Sequence, residues 1–71
     1  MKIKFNNDCV LIVLRPQDNK LDNKAIKAGE WYPLAGASDS YWQKGNRMVD
    51  ITFDNGETAC QIYRDSVDIE A

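Results

Sequence analysis

The chain has no histidine, only two cysteines, two prolines and four glycines, and no apolar run longer than the six residues from Cys9 to Leu14. Without histidine it can build neither a Ser-His-Asp triad nor a Cys-His pair. Two cysteines alone fall short of the four nitrogen or sulfur ligands of a structural zinc site. No metal, no cofactor and no enzymatic activity are therefore expected. The longest apolar run is far below the roughly 18 residues of a membrane span. The lysines of Met1 to Asp8 are not followed by a long apolar region or a small-residue cleavage site, so no signal peptide is expected. No asparagine stands in an N-x-[ST] acceptor pattern. Together these absences predict a cytoplasmic protein with no membrane partner, in which Cys9 and Cys60 are free thiols rather than a disulfide framework.

What is present suits one small globular domain. The 71 residues are 44% hydrophobic and 28% charged, apolar enough to fold and near the lower size limit for doing so alone. The net charge of −2 and the pI near 4.8 argue against nucleic-acid binding through the phosphate backbone. The charge is uneven. Residues 1 to 35 carry six basic and four acidic groups, residues 36 to 71 three basic and seven acidic. If folding preserves it, this asymmetry gives a dipolar surface able to steer a basic partner toward the C-terminal half.

The dominant periodicity is two, broken by polar turns, which predicts an all-β fold. Ile3 and Phe5 alternate with lysines, and Asn6-Asn7-Asp8 supplies a turn, so residues 1–8 read as an extra N-terminal strand and turn. Cys9 to Leu14 is rich in β-branched residues and reads as a strand buried on both faces or covered by the N-terminal segment. Arg15 to Gly29 reads as a long polar loop, with one helical turn at most between Asn23 and Gly29. Glu30 to Ala35 predicts a strand with Tyr32 and Leu34 inward and Trp31 and Pro33 outward. Gly36 to Ser40 and Lys44 to Arg47 are loop chemistry on either side of Tyr41-Trp42. Val49, Ile51 and Phe53 alternate, Asp54-Asn55-Gly56 follows, and Thr58, Cys60 and Ile62 alternate again. This predicts a β-hairpin with a type I′ turn at Asn55-Gly56. Arg64-Asp65-Ser66 suits a single turn, and Val67 to Ile69 a closing strand.

Over residues 9 to 70, with Lys2 to Phe5 as an extra strand, this order of elements resembles the Src-homology-3-like small β-barrel: five to six short antiparallel strands with at most one or two single helical turns, in one domain spanning residues 1–71. In that likeness Arg15 to Gly29 is the long loop, Gly36 to Arg47 the second loop, Asp54-Asn55-Gly56 the distal hairpin and Arg64-Asp65-Ser66 the one-turn helix. Ala28-Gly29-Glu30-Trp31-Tyr32-Pro33-Leu34, followed by Thr52-Phe53-Asp54-Asn55-Gly56-Glu57, looks like a pattern common among small barrel proteins of phages and prophages. The resemblance implies an accessory protein that modulates or inhibits a host or defence protein. It supplies no residue roles. The Ala-Leu-Tyr-Asp-Tyr motif of domains that bind proline-rich peptides is missing, so their ligand does not carry over.

The remaining candidate chemistry is weighed residue by residue. Asp50, Asp54, Glu57, Asp65, Asp68 and Glu70 are the carboxylates available for acid-base work, but turns and outward strand positions favour plain solvation. Asp18 to Asn23 superficially suggests a calcium loop, yet Asn23 falls where glycine is required and Gly29 where glutamate is required. The four isolated glycines make no phosphate cradle. Alternation puts Cys60 inside with Ile62, and Cys9 on the opposite parity from Val10, Ile12 and Leu14. The aromatic set is the strongest binding signal, its alternative role being to cover the open end of a small barrel whose thin core needs large side chains. Trp31 and Tyr63 fall on outward parities and Tyr41 and Trp42 lie in a loop, a set able to share one surface with Asp39, Lys44 and Arg47 as rim charges. A host protein is the expected partner. The alternatives are a nucleic-acid-binding barrel using the same aromatics, for which Lys44 and Arg47 are the only close cations, and a homo-oligomer pairing through strand edges around a small ligand.

Overall fold

A computed structural model of the chain describes residues 1–71 and shows an all-β, antiparallel fold. Its strands are β1 (Lys2–Phe5), β2 (Cys9–Leu14), β3 (Leu21–Ile26), β4 (Trp31–Ala37), β5 (Tyr41–Gln43), β6 (Asn46–Phe53), β7 (Thr58–Tyr63) and β8 (Val67–Glu70), with a 3-10 turn over Arg64–Ser66. The order across the sheet is β3-β2-β7-β6-β4-β1-β8, and β5 pairs with the start of β6. The sheet curls into an open half-barrel whose edges are β3 and β8. No helix is long and apolar enough to cross a membrane.

Alternation explains the core. Ile3 and Phe5, Val49, Ile51 and Phe53, and Val67 all project to one side of the curled sheet, where they meet Val13, Ile26, Leu34, Ala59 and Ile62. Tyr32 packs against this cluster, edge-on to both Phe5 (6.3 Å) and Phe53 (6.4 Å). Its hydroxyl accepts the Lys27 N–H at 2.8 Å. Two irregularities supply the bend: Ala35 is an extra residue where β4 meets β6, and β7 carries one extra residue against β6 between Val49 and Ile51. Such bulges kink a strand and strengthen its twist.

Several expectations are corrected. There are eight strands rather than five or six, because Leu21–Ile26 is β3 and not part of a long loop with a helical turn, and because Tyr41–Gln43 is β5, paired with the start of β6, and not part of a loop. Full pairing with β2, from Cys9↔Ile26 to Leu14↔Leu21, overrides the helical preference of Lys24 and Ala25. The N-terminal strand does not cover β2. It lies between β4 and β8, where Ile3 is completely buried, so β1 is an interior strand of the sheet. Consequently β2 is buried on one face only, through Val13 and in part Leu11, while Val10, Ile12 and Leu14 face outward. The β6–β7 loop holds three residues rather than a type I′ pair. Gly56 N–H donates to the Phe53 carbonyl (2.9 Å), Phe53 N–H donates to that of Glu57 (2.8 Å), and only Gly56 has positive φ, at +89°. That is a type I turn followed by a glycine bulge. The two-residue turn with both φ values positive is Lys44 (50°) and Gly45 (81°), joining β5 to β6.

Cys60 is exposed rather than inside. The extra residue on β7 reverses parity, so Ala59 and Ile62 point inward with Cys60 and Gln61 between them. Gln61 takes φ +59°, and its N–H donates to Asp50 Oδ1 at 3.0 Å.

Candidate functional site at the β5–β6 hairpin

The type I′ turn at Lys44-Gly45 fixes β5 and the start of β6 as a short hairpin, with Trp42 opposite Arg47 and Tyr41 opposite Met48. Residues opposite one another share a face, so Trp42 and Arg47 project together, on the same parity as Val49 but beyond the end of the core. Trp42 is the most exposed large apolar residue of the chain, at 74%. Arg47 Nε donates to Ser40 Oγ at 2.9 Å, which sets the guanidinium in place and leaves its other N–H groups free.

Beside this pair lies an open concavity of about 410 Å³, whose lining includes Ser38, Asp39, Ser40, Arg47, Val49 and Arg64. Neither arginine is in an ion pair; all five ion pairs of the chain involve other cations. Arg64 Nη1 donates to the Val67 carbonyl at 3.0 Å. Asp39 is the only carboxylate in the lining. The barrel end therefore presents two oriented guanidinium groups next to an exposed indole.

Tyr41 and Tyr63 lie on the other side of the same strands. Tyr41, Met48 and Tyr63 occupy one rung across β5, β6 and β7, so the two tyrosines flank Met48 on the outer face, where Met48 is buried. Tyr63 is exposed as its parity predicts, whereas Tyr41 is half-buried and its hydroxyl donates to Asp50 Oδ1 at 2.6 Å. That bond, followed by burial, pushes the Tyr41 phenol above its ordinary value. Trp31 is elsewhere. It pairs with Lys4 at the start of β4, past the Phe53 end of β6, whereas Trp42 stands at the Arg47 end, about 20 Å of strand away. Lys2 and Lys4 place their ammonium groups 4.6 Å and 4.9 Å from the Trp31 ring centroid. Of the seven predicted site residues, Asp39, Trp42, Lys44 and Arg47 gather at the hairpin; Tyr41 and Tyr63 form a second pair on the opposite face, and Trp31 stands alone with its lysines.

Four of the six carboxylates singled out in the sequence, Asp50, Glu57, Asp68 and Glu70, have structural partners. Asp68 and Glu70 pair with Lys4 and Lys2. Glu57 accepts from Asn55 (2.8 Å) and Lys24 (3.1 Å), and these bonds, Asn55's first, hold its carboxyl below the usual range. Asp50 clasps the bulge. No three His, Cys, Asp or Glu side chains lie close enough together to hold a metal ion. Cys9 lines a second, mainly apolar cleft of about 310 Å³ with Phe5, Leu11 and Ile62, where β2 and β7 diverge beyond their single rung, Leu14↔Thr58. Burial, and then the charge of Asp8, push its thiol up, the opposite of what a nucleophile needs.

Arg64 is the residue at this end that the sequence pattern left unmarked, because it reads as turn chemistry. Its only signal is that it is the sole cation between Arg47 and the C-terminus. Compared with protein-family models, curated proteins and solved structures, the chain matches none of them.

Proposed function

We propose that the chain is a non-catalytic protein-binding module, with Trp42 as the anchor of its contact surface and Asp39, Lys44, Arg47 and Arg64 around it. The observation that carries this reading is the 74% exposure of Trp42 on a hairpin held by its turn and by the bond from Arg47 to Ser40. A large, rigid side chain presented on fixed backbone gives contact area at low entropic cost. Two arginines without carboxylate partners support a partner surface that supplies carboxylates.

A single-strand nucleic-acid platform would use the same indole and cations, but stacking successive bases needs further aromatics on that face. Tyr41 and Tyr63 are on the other one, which favours the protein reading. The element order and the 3-10 turn before the last strand support a Src-homology-3-like barrel. With the sequence pattern around Trp31 and Asn55, they support an accessory protein of phage or prophage type acting on a host protein. The two exposed, unpaired thiols suit a reducing compartment such as the cytoplasm.

The test is affinity capture from bacterial lysate with the wild type, Trp42→Ala and Trp31→Ala. A partner retained by the wild type and Trp31→Ala but lost from Trp42→Ala supports the assignment; equal recovery by all three contradicts it.

A further inference from the structure

The two halves of the outer surface differ in charge. On the β4–β1–β8 half, Lys2 and Lys4 pair with Glu70 and Asp68 and lie over Trp31. On the β3–β2–β7 half, register puts Val10, Ile12 and Leu14 of β2 on one face with Leu21 of β3. Their exposures are 64%, 62%, 39% and 70%. The neighbours on that face are Ala25 and Asn23 on β3 and Thr58 on β7, none of them charged. The charges of β3 belong to the opposite parity, where Asp22 pairs with Arg15 and Lys24 with Glu57. In a chain that is 28% charged, this is a continuous uncharged face, mostly aliphatic.

We propose that this face is covered by the same face of a second copy of the chain, forming a two-fold dimer. A two-fold contact must be self-complementary, because each group near the axis meets its own image and any charge there meets its like. This face satisfies that condition and the ion-bearing half does not. The strand edges are less suited to pairing. At β3 the Asn23 N–H is taken by Asp22 Oδ1 at 2.8 Å, and at β8 the Val67 carbonyl is taken by Arg64. A lipid surface would favour basic residues around the apolar side chains, and this face has none.

The area sets the strength. The four aliphatic side chains leave on the order of 400 Å² exposed, within the range of the largest apolar patch on a monomer, which is often functional. Two such faces with their uncharged neighbours reach only the small end of specific interfaces, about 1,200 Å² in total. A reversible dimer follows. The surface is separate from the Trp42 hairpin, so the two proposals stand or fall independently.

Sedimentation velocity of the full chain between about 1 and about 500 μM tests it, with dissociation expected in the micromolar range. Ile12→Lys and Leu21→Lys, at exposed positions and checked for unchanged circular dichroism, are each expected to be monomeric throughout, whereas Trp42→Lys dimerises like the wild type. A wild type that stays monomeric at the highest concentration overturns the proposal. So does a dimer that persists in both β2–β3 variants or is lost in Trp42→Lys, or a monomer that floats with phosphatidylcholine vesicles, which would assign the face to lipid.

Discussion

Tyr41 Oη donates to Oδ1 of Asp50 at 2.6 Å, and that same oxygen accepts the N–H of Gln61 at 3.0 Å. One carboxylate thus ties β5 to β6 and closes the bulge of β7. Asp50 N–H in turn donates to Ser38 Oγ at 3.0 Å, linking the loop before β5 to the same point. Asp50 therefore adds a tie to the Trp42 hairpin and braces the parity reversal at Cys60.

Asp50→Ala should cost about 1–3 kcal/mol, since it removes the charged acceptor of both the Tyr41 hydroxyl and the N–H of Gln61, which holds a left-handed conformation. Tyr41→Phe, which keeps the Gln61 bond, should cost less. Urea unfolding of both variants checks the order, and an Asp50→Ala protein as stable as the wild type would contradict the clasp.

The phenol of Tyr41 titrates above its ordinary value near 10 because the bond to Asp50 favours the protonated form, with burial adding to the effect. The stability linked to it is fully present below pH 10 and is lost as pH rises through the elevated folded-state value. Absorbance titration at alkaline pH should show one tyrosine lagging, and Tyr41→Phe should remove that step.

At the acid end, Glu57 behaves in the opposite sense. Asn55 and then Lys24 hold its carboxyl below 4.5, so its contribution is present above that value and is lost as pH falls through the lowered one. Thermal midpoints from pH 7 to pH 2 should fall less steeply in Glu57→Gln than in the wild type.

A methyl group added at Gly56 would sit 3.0 Å from Pro16 Cγ, at φ +89°. Gly29, at φ +79°, has nothing within 4 Å of the same position. Gly29→Ala should therefore show only the backbone cost of a left-handed side-chain-bearing residue, about 1–2 kcal/mol, and Gly56→Ala more. Equal losses in thermal unfolding would remove the Pro16 contact from the account.

Much of the fold is written in local alternation. The β6–β7 hairpin, the turn at Arg64–Ser66 and the inward placing of Tyr32 and Leu34 follow from residues adjacent in the chain. What alternation could not show depends on distant partners. Leu21–Ile26 becomes a strand only because β2 offers it a complete ladder. Ile3 looks peripheral in sequence and is central because β4 and β8 flank it. Cys60 turns outward because of a bulge whose acceptor, Asp50, lies eleven residues before the donor, Gln61. At the candidate site, the residue types were legible as aromatics and rim charges, but their grouping was not. Trp42 and Tyr41 are adjacent in sequence and therefore point to opposite faces once β5 forms.

The most direct measurement is site-specific photo-cross-linking, with a benzophenone side chain placed at position 42 and, separately, at position 31. The account predicts one protein adduct from position 42, competed away by unlabelled wild type, and none from position 31. Adducts from position 31 alone, or equally from both positions, would contradict a contact surface centred on the β5–β6 hairpin.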